Sequence, residues 1–269
     1  MTQAWKLKGR GLKERSKRLP LFAPVKSEQK FYEKYVKEGK ALVLGATPEP
    51  RDIAIKHGLR TYAVDISQPM LKKYTALMKY KDSKLNIMKK EDWLKMKFSK
   101  GFFDVVLGDA PFNNLVSTKD AKKLVSVLKK MLKPGGYLVV RHIVLKPIKP
   151  VGLKKLVKLY RSKKIDFIYF FGELRLVDPV SKVYNKKTFQ MKADDVFDLV
   201  DEYYEKGILN KKERDSIAVY KNSIINWIPP EKWFLNLMKK NGFKFLEIFE
   251  DKKYRHTKYL RMYAFKRIN

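Results

Sequence analysis

Leu42-Val43-Leu44-Gly45-Ala46-Thr47-Pro48-Glu49 is followed a few residues later by Thr61-Tyr62-Ala63-Val64-Asp65. The first stretch reads as a buried strand running into a tight glycine turn. The second reads as another strand ending in a carboxylate. Between them, Pro50 to His57 has the character of a short helix closed by Gly58. A strand–turn–helix–strand unit builds a nucleotide-sized pocket at the carboxyl ends of parallel strands. Asp65 lies 20 residues after Gly45, where a ribose-gripping carboxylate falls in such a unit. The plainer alternative is an ordinary strand-to-helix turn with no ligand.

The turn is informative in what it lacks. Dinucleotide sites use several glycines so that backbone can approach a pyrophosphate at a helix N-terminus. Here one glycine is followed by Ala46, Thr47, Pro48 and Pro50. S-adenosylmethionine has no phosphate, and its pocket needs one close backbone approach rather than three.

Outward from this unit the pattern repeats. Ser27 to Glu38 is expected to be a helix capped by Ser27, with Phe31, Tyr32, Tyr35 and Val36 on its apolar face. Ser67 caps a second helix to about Tyr80. Strands are expected at Leu85–Met88, Phe103–Gly108 and Tyr137–Val144, with a helix capped by Thr118 between the last two. Strands alternating with helices predict a parallel, doubly wound sheet. After Pro150 the alternation stops. Residues 151–228 read as a mainly helical insertion, with helices at Asp194–Gly207 and Lys211–Tyr220 and a strand candidate at Phe167–Phe171. Glu231–Asn241 then reads as a helix, and Phe243–Phe249 and Tyr259–Phe265 as strands. No helix fits between these two strands, so they should pair antiparallel. The predicted fold is an α/β, Rossmann-like, mostly parallel seven-stranded sheet with an antiparallel last strand and a helical insertion. Its parts are a basic flexible arm over 1–23, a cofactor-binding core over 24–150, the insertion over 151–228 and completion of the core over 229–269.

Composition narrows the chemistry. The chain's 269 residues and 45% hydrophobic content suit a globular protein with a full core. It has no cysteine, which excludes disulfides, thiolate metal sites and a cysteine nucleophile. His57, His142 and His256 have no metal-ligand spacing, so no metal site is expected. No apolar run approaches about 18 residues, and the basic N-terminus has no apolar core of a secretory signal. A cytoplasmic protein without a membrane partner is expected. The formal net charge is +33, shared as +21 over residues 1–150 and +12 over 151–269. A field of that size attracts nucleic acid or another polyanion, although lysine-rich solvated surfaces produce it too. Lys6, Lys8, Arg10, Lys13, Arg15, Lys17 and Arg18 make the first residues an arm suited to folding on such a partner.

The chain resembles class I S-adenosylmethionine-dependent methyltransferases over roughly residues 24–145 and 230–267. Leu42–Glu49 looks like motif I, although it departs from the usual Gly-x-Gly-x-Gly. The Gly-Ala-Thr-Pro-Glu variant resembles a subgroup of methyltransferase-domain proteins. Asp65-Ile66-Ser67 with Met70 looks like motif II, and Asp92-Trp93 like the adenine-binding acidic pair. Asp109 ends the fourth strand as motif IV does, Leu132 to Gly136 looks like the turn before strand five, and the closing hairpin is a family signature. The resemblance implies S-adenosyl-L-methionine as cofactor. It implies that Gly45, Ala46 and Thr47 lie against its methionine part, with Glu49 nearby. Asp65 would accept from both ribose hydroxyls. Ile66 and Met70 would face the adenine, Asp92 would accept from its amino group, and Trp93 would cover the ring edge.

Methyl transfer asks the protein mainly to align a nucleophile and exclude water. Asp109-Ala110-Pro111-Phe112 resembles the Asp-Pro-Pro-Tyr motif of amino methyltransferases, with Ala110 in place of the first proline. In that motif the acid and a carbonyl accept from the target amino group, and the ring stacks on a planar substrate. Asp109, Pro111, Phe112 and Asn113 are therefore the catalytic candidates. The alternative takes Gly108-Asp109 with Asn113-Asn114 as a cofactor-proximal turn without amino specificity. His142 is a candidate general base or a satisfied strand residue. Arg141 faces an acidic substrate or solvent. Tyr160, Phe167, Tyr169, Phe170 and Phe171 line a substrate pocket or form the insertion's core. The expected activity is a methyltransferase acting on nucleic acid or a translation-machinery protein. The alternatives are a small-molecule methyltransferase, and a non-catalytic nucleic-acid-binding protein on a degenerate fold.

Overall fold

The computed structural model describes residues 21–221 and 223–268. Helix α1 (Lys26–Tyr35) precedes β1 (Lys40–Leu44), α2 (Pro48–Lys56), β2 (Arg60–Asp65), α3 (Gln68–Thr75), β3 (Asn86–Lys90) and β4 (Phe103–Asp109). Helix α4 (Thr118–Met131) leads into β5 (Leu132–Ile143). After the insertion come α9 (Glu231–Lys240), β8 (Phe243–Phe249) and β9 (Leu260–Arg267). The sheet order is β3-β2-β1-β4-β5-β9-β8. Strands β1 to β5 pair in parallel, and β9 runs antiparallel to both β5 and β8.

Strand alternation sorts the core into two layers. Ala41, Val43, Val105, Leu107, Val139, Met262 and Ala264 face α1 and α2 on one side. Leu42, Leu44, Val106, Leu138, Val140 and Phe265 face α4 and α9 on the other. With both faces covered, the central strands carry near-continuous apolar runs, which is why they were legible in the sequence. The strand order reverses between β1 and β4, and an α/β sheet opens a crevice at such a point.

The expected seven-stranded architecture, including the closing antiparallel hairpin, is found. Local differences have local causes. Helix α1 is capped by Glu28, whose carboxylate accepts from the Val25 N–H at 2.9 Å, and not by Ser27, which donates to Asp251 at 2.5 Å. Ser117, rather than Thr118, caps α4 by accepting from the Asp120 N–H at 3.1 Å.

The insertion holds α5 (Leu153–Arg161), α6 (Phe167–Gly172), β6 (Gln190–Lys192), α7 (Ala193–Glu205), α8 (Lys211–Ala218) and β7 (Ile225–Trp227). The strand expected at Phe167–Phe171 is the helix α6. Asp166 caps it, accepting from the Tyr169 N–H at 2.8 Å. A short, wholly apolar run reads alike as a buried helix or a buried strand. Of the expected arm, residues 1–20 lie outside the described residues. Residues 21–23 are packed, and the Phe22 ring stacks on Tyr220 at 4.8 Å. The described residues contain no helix long and apolar enough to cross a membrane.

Candidate active site

The loops that leave β1, β2 and β4 meet the insertion around one open cleft, about 1420 Å³ with its solvent-facing part. Its sheet-side wall includes Gly45, Ala46, Thr47, Asp65, Ile66 and Met70, with Trp93 and Asp109. Of the cofactor candidates, Glu49 and Asp92 lie outside this lining. Glu49 is buried, and Asp92 Oδ1 accepts from the Leu94 N–H at 3.0 Å, which shapes its own turn.

Gly45 sits at φ +102°, a conformation that side chains disfavour. Its N–H donates to the Val64 carbonyl at 2.8 Å, joining the ends of β1 and β2. A Cβ here would lie 3.7 Å from the Trp93 ring and 3.8 Å from Asp65 Oδ2. The glycine therefore keeps open a space bounded by an indole and a carboxylate. Trp93 is fixed in turn, because its Nε1 donates to the Val64 carbonyl at 2.6 Å.

Asp65 Oδ1 accepts from the Ser67 N–H at 2.8 Å. Burial pushes the Asp65 carboxyl up to about 6, against the lowering effect of that bond. A half-buried acid with this perturbation, at a strand end in a cleft, is a binding-site candidate on physical grounds.

Asp109 is held from beneath. Arg141, wholly buried, reaches it with Nη1 at 3.3 Å and reaches Glu28 with Nε at 3.2 Å. Thr47 Oγ1 donates to the other Asp109 oxygen at 3.4 Å. Arg141 thus meets neither substrate nor solvent. It is an internal counter-ion, paired through Nε and Nη1 with acids from α1 and β4.

The segment after Asp109 departs from the amino-methyltransferase reading. Ala110 has φ +54°, and its N–H donates to the Arg141 carbonyl at 2.7 Å. This left-handed residue turns the chain into a short 3₁₀ helix over Phe112–Asn114. Pro111 and Phe112 are buried outside the cleft, the Phe112 ring packing edge-on to Phe234 at 5.2 Å. Phe112 therefore cannot stack on a substrate. Asn113 reaches the cleft wall, but its amide is spent internally. Nδ2 donates to the Ile143 and Trp227 carbonyls at 2.9 and 2.8 Å, and Oδ1 accepts from the Ile143 N–H at 2.8 Å. The fourth bond, from His142 Nδ1 at 2.9 Å, fixes that ring with the proton on Nδ1.

His142 is not a general base for the cleft. It is wholly buried, and burial holds the imidazole down at about 3, so it stays neutral. Its ring packs on Phe234 at 4.3 Å. Ala110 of that motif, and Asn114 of the alternative turn, line the cleft in place of Pro111 and Phe112.

The insertion supplies the opposite wall through Phe171, Arg175, Leu176, Tyr220 and Asn226, with Leu21 and Phe22 beside them. Of the insertion's five aromatic candidates, Phe171 lines the cleft, while Phe170 is fully buried and stacks on Tyr160 at 4.2 Å. The described residues hold no group of three or more His, Cys, Asp or Glu placed for a metal ion.

The family model described as "Methyltransferase domain" matches residues 45–140, from the Gly45 turn into β5. No curated protein sequence matches the chain. Among solved structures, an S-adenosylmethionine-dependent methyltransferase from Methanosarcina mazei is 15% identical, with a TM-score of 0.55 over 88% of this chain and 97% of that one. A Rhodobacter sphaeroides protein, provisionally named a Zn-dependent alcohol dehydrogenase, is 14% identical with a TM-score of 0.61 over 96% and 98%. Geranyl diphosphate C-methyltransferase from Streptomyces coelicolor, solved with Mg²⁺, geranyl diphosphate and S-adenosyl-L-homocysteine, is 11% identical with a TM-score of 0.52 over 90% and 79%. In all, 919 solved chains match, so the fold alone does not choose an acceptor. Domain match and fold agree with the sequence resemblance: this is the class I methyltransferase fold.

Proposed function

We propose that the protein is an S-adenosylmethionine-dependent methyltransferase. The observation that carries this reading is the open cradle at Gly45, bounded by Trp93 and by the Asp65 carboxylate. Gly45 to Thr47 would face the methionine part and Asp65 the ribose hydroxyls. Ile66, Met70 and Trp93 would enclose the adenine. When bound, the cofactor would supply an electrophilic methyl group carried on a positively charged sulfur. The chain's own part is to orient the acceptor and exclude water, which the apolar insertion wall does. Asp109 presents a carboxylate at the cleft while Arg141 fixes its position. In this reading Asp109 orients cofactor or acceptor and needs no metal.

Calorimetric titration with S-adenosylhomocysteine, beside Asp65→Ala, tests the proposal. Micromolar binding by the wild type that the variant loses supports it. No binding by the wild type overturns it and makes a non-catalytic binding protein the leading account.

For the acceptor, the cleft favours a small molecule over nucleic acid. The insertion walls it with Phe171, Leu176 and Tyr220, and among the described residues its lining holds one basic side chain, Arg175. The net charge of +33 supports a separate proposal for the outer surface, attraction of nucleic acid or another polyanion. RNA binding that weakens steeply with salt checks it.

A further inference from the structure

The chain has 61 lysines and arginines, yet among the described residues lining the cleft Arg175 is the single basic side chain. Arg175 lies in one π-helical turn, Glu173–Val177, that follows α6. Such turns push one side chain out of helical register and recur at functional sites. Its guanidinium carbon lies over the Phe197 ring, 5.5 Å from the centroid.

Among the described residues, Arg175 Nη1 is buried and has no hydrogen-bond partner. The neighbouring acids are already claimed. Glu173 pairs with Arg255, and Asp178 pairs with Lys182 at 2.9 Å and accepts from the Tyr203 hydroxyl. Burial with no compensating anion pulls the guanidinium down to about 10. Arg175 as a whole is half-buried. The fully buried Arg141 and Arg51 each leave one nitrogen without a partner but keep side-chain or carbonyl acceptors on the others: Arg141 has two carboxylates, and Arg51 has the Ala46 carbonyl, Thr75 and Asn86. A half-buried guanidinium with no anion beside it is a ready receptor for an anion that arrives with a ligand.

Building on the methyltransferase reading, we infer that the acceptor is a small organic acid whose anionic group is received by Arg175. Its apolar body lies among Phe22, Phe171, Leu176 and Tyr220. The planar fork of a guanidinium suits carboxylate and phosphate alike, and it binds either in two-point fashion. The surrounding rings suit an aromatic or aliphatic body. A nucleic-acid strand is disfavoured because its successive phosphates need several cations, and among the described residues the cleft lining offers one.

The test uses the full chain saturated with S-adenosylhomocysteine. Decanoate, phenylacetate, 1-naphthoate and 1-naphthyl phosphate are compared with the uncharged amides of the three carboxylates. The readouts are thermal shift and calorimetry. At least one acid is expected to bind while its amide does not. Carboxylate binding without phosphate binding, or the reverse, identifies the anionic group. Arg175→Met should weaken that acid by roughly tenfold to a hundredfold, as expected for hydrogen bonds to a charged group. Arg175→Lys should weaken it less, since the charge remains and the fork is lost. Homocysteine-cofactor binding by both variants shows that they are folded. Failure of every acid, equal binding of acid and amide, or unchanged affinity in Arg175→Met overturns the inference. So does an RNA oligonucleotide whose binding depends on Arg175. Loss of S-adenosylhomocysteine binding in the wild type instead overturns the methyltransferase reading itself, so the two failures are distinct.

Discussion

The guanidinium of Arg141 meets Asp109 from inside the fold, Nη1 to Oδ1 at 3.3 Å, so a carboxylate at the cleft rests on a cation that solvent never reaches. Burial pulls the Arg141 pKa down, but the attraction of Glu28 and Asp109 outweighs it and leaves the group above its usual value. On the other partner burial wins, and the Glu28 carboxyl is raised in spite of Arg141. Replacing Arg141 by Met would leave two acids facing each other without a counter-ion. Arg141→Met is expected to lose about 3–5 kcal/mol of stability, measured by urea unfolding. A loss below about 1 kcal/mol would contradict this account of the cluster.

Asp65 should make cofactor binding pH-dependent. Its carboxyl sits at about 6 when folded, against 3.8 ordinarily. Across that window the folded protein binds more protons here than the unfolded chain does. This group's contribution to stability is therefore present at low pH and lost as pH rises through about 6. Asp65→Asn should accordingly raise the melting temperature of the cofactor-free protein at pH 7 and change it little at pH 4. Binding of S-adenosylhomocysteine, which prefers the ionised acceptor, should weaken below pH 6 in the wild type. In Asp65→Asn the affinity should be lower and flat with pH.

Gly45→Ala separates folding from binding. The added Cβ makes only ordinary contacts with Trp93 and Asp65, so the fold should survive, with about 1 kcal/mol lost to the φ of +102°. The methyl nevertheless fills the cradle. Calorimetry should show S-adenosylhomocysteine affinity falling by at least about tenfold, which is the effect of roughly 1.4 kcal/mol.

Asn113→Ala removes an amide whose four bonds tie β5, His142 and Trp227 together. The buried groups it leaves unsatisfied should lower stability by about 2–4 kcal/mol. A catalytic asparagine would instead lose activity with its melting temperature intact, so thermal unfolding decides between the two roles.

Much of the sheet was legible because buried parallel strands write continuous apolar runs, as in Leu42–Leu44 and Val105–Leu107. The closing hairpin was legible because the link from Phe249 to Leu260 is too short for a parallel crossover, and it holds only a 3₁₀ turn over Arg255–Lys258. What escaped depends on pairings that sequence does not display. Glu28 and Arg141 are 113 residues apart, and nothing local marks either as the other's partner. Phe112 stands in a motif-like position, yet the left-handed turn at Ala110 sends it into the core. Strands β6 and β7, three residues each, are too short to carry a period. Arg175 is one basic residue among 61, and only its surroundings set it apart.

The excursion that forms the insertion departs and returns at nearly one point. The Leu145 N–H donates to the Pro229 carbonyl at 2.8 Å, and Leu145 pairs with Pro230 beside the end of β5. The two stems are thus stitched together where they meet the sheet. The segment between them is held again at Trp227, whose carbonyl accepts from Asn113 at 2.8 Å, so its returning end is anchored beside the cleft as well as at the stem.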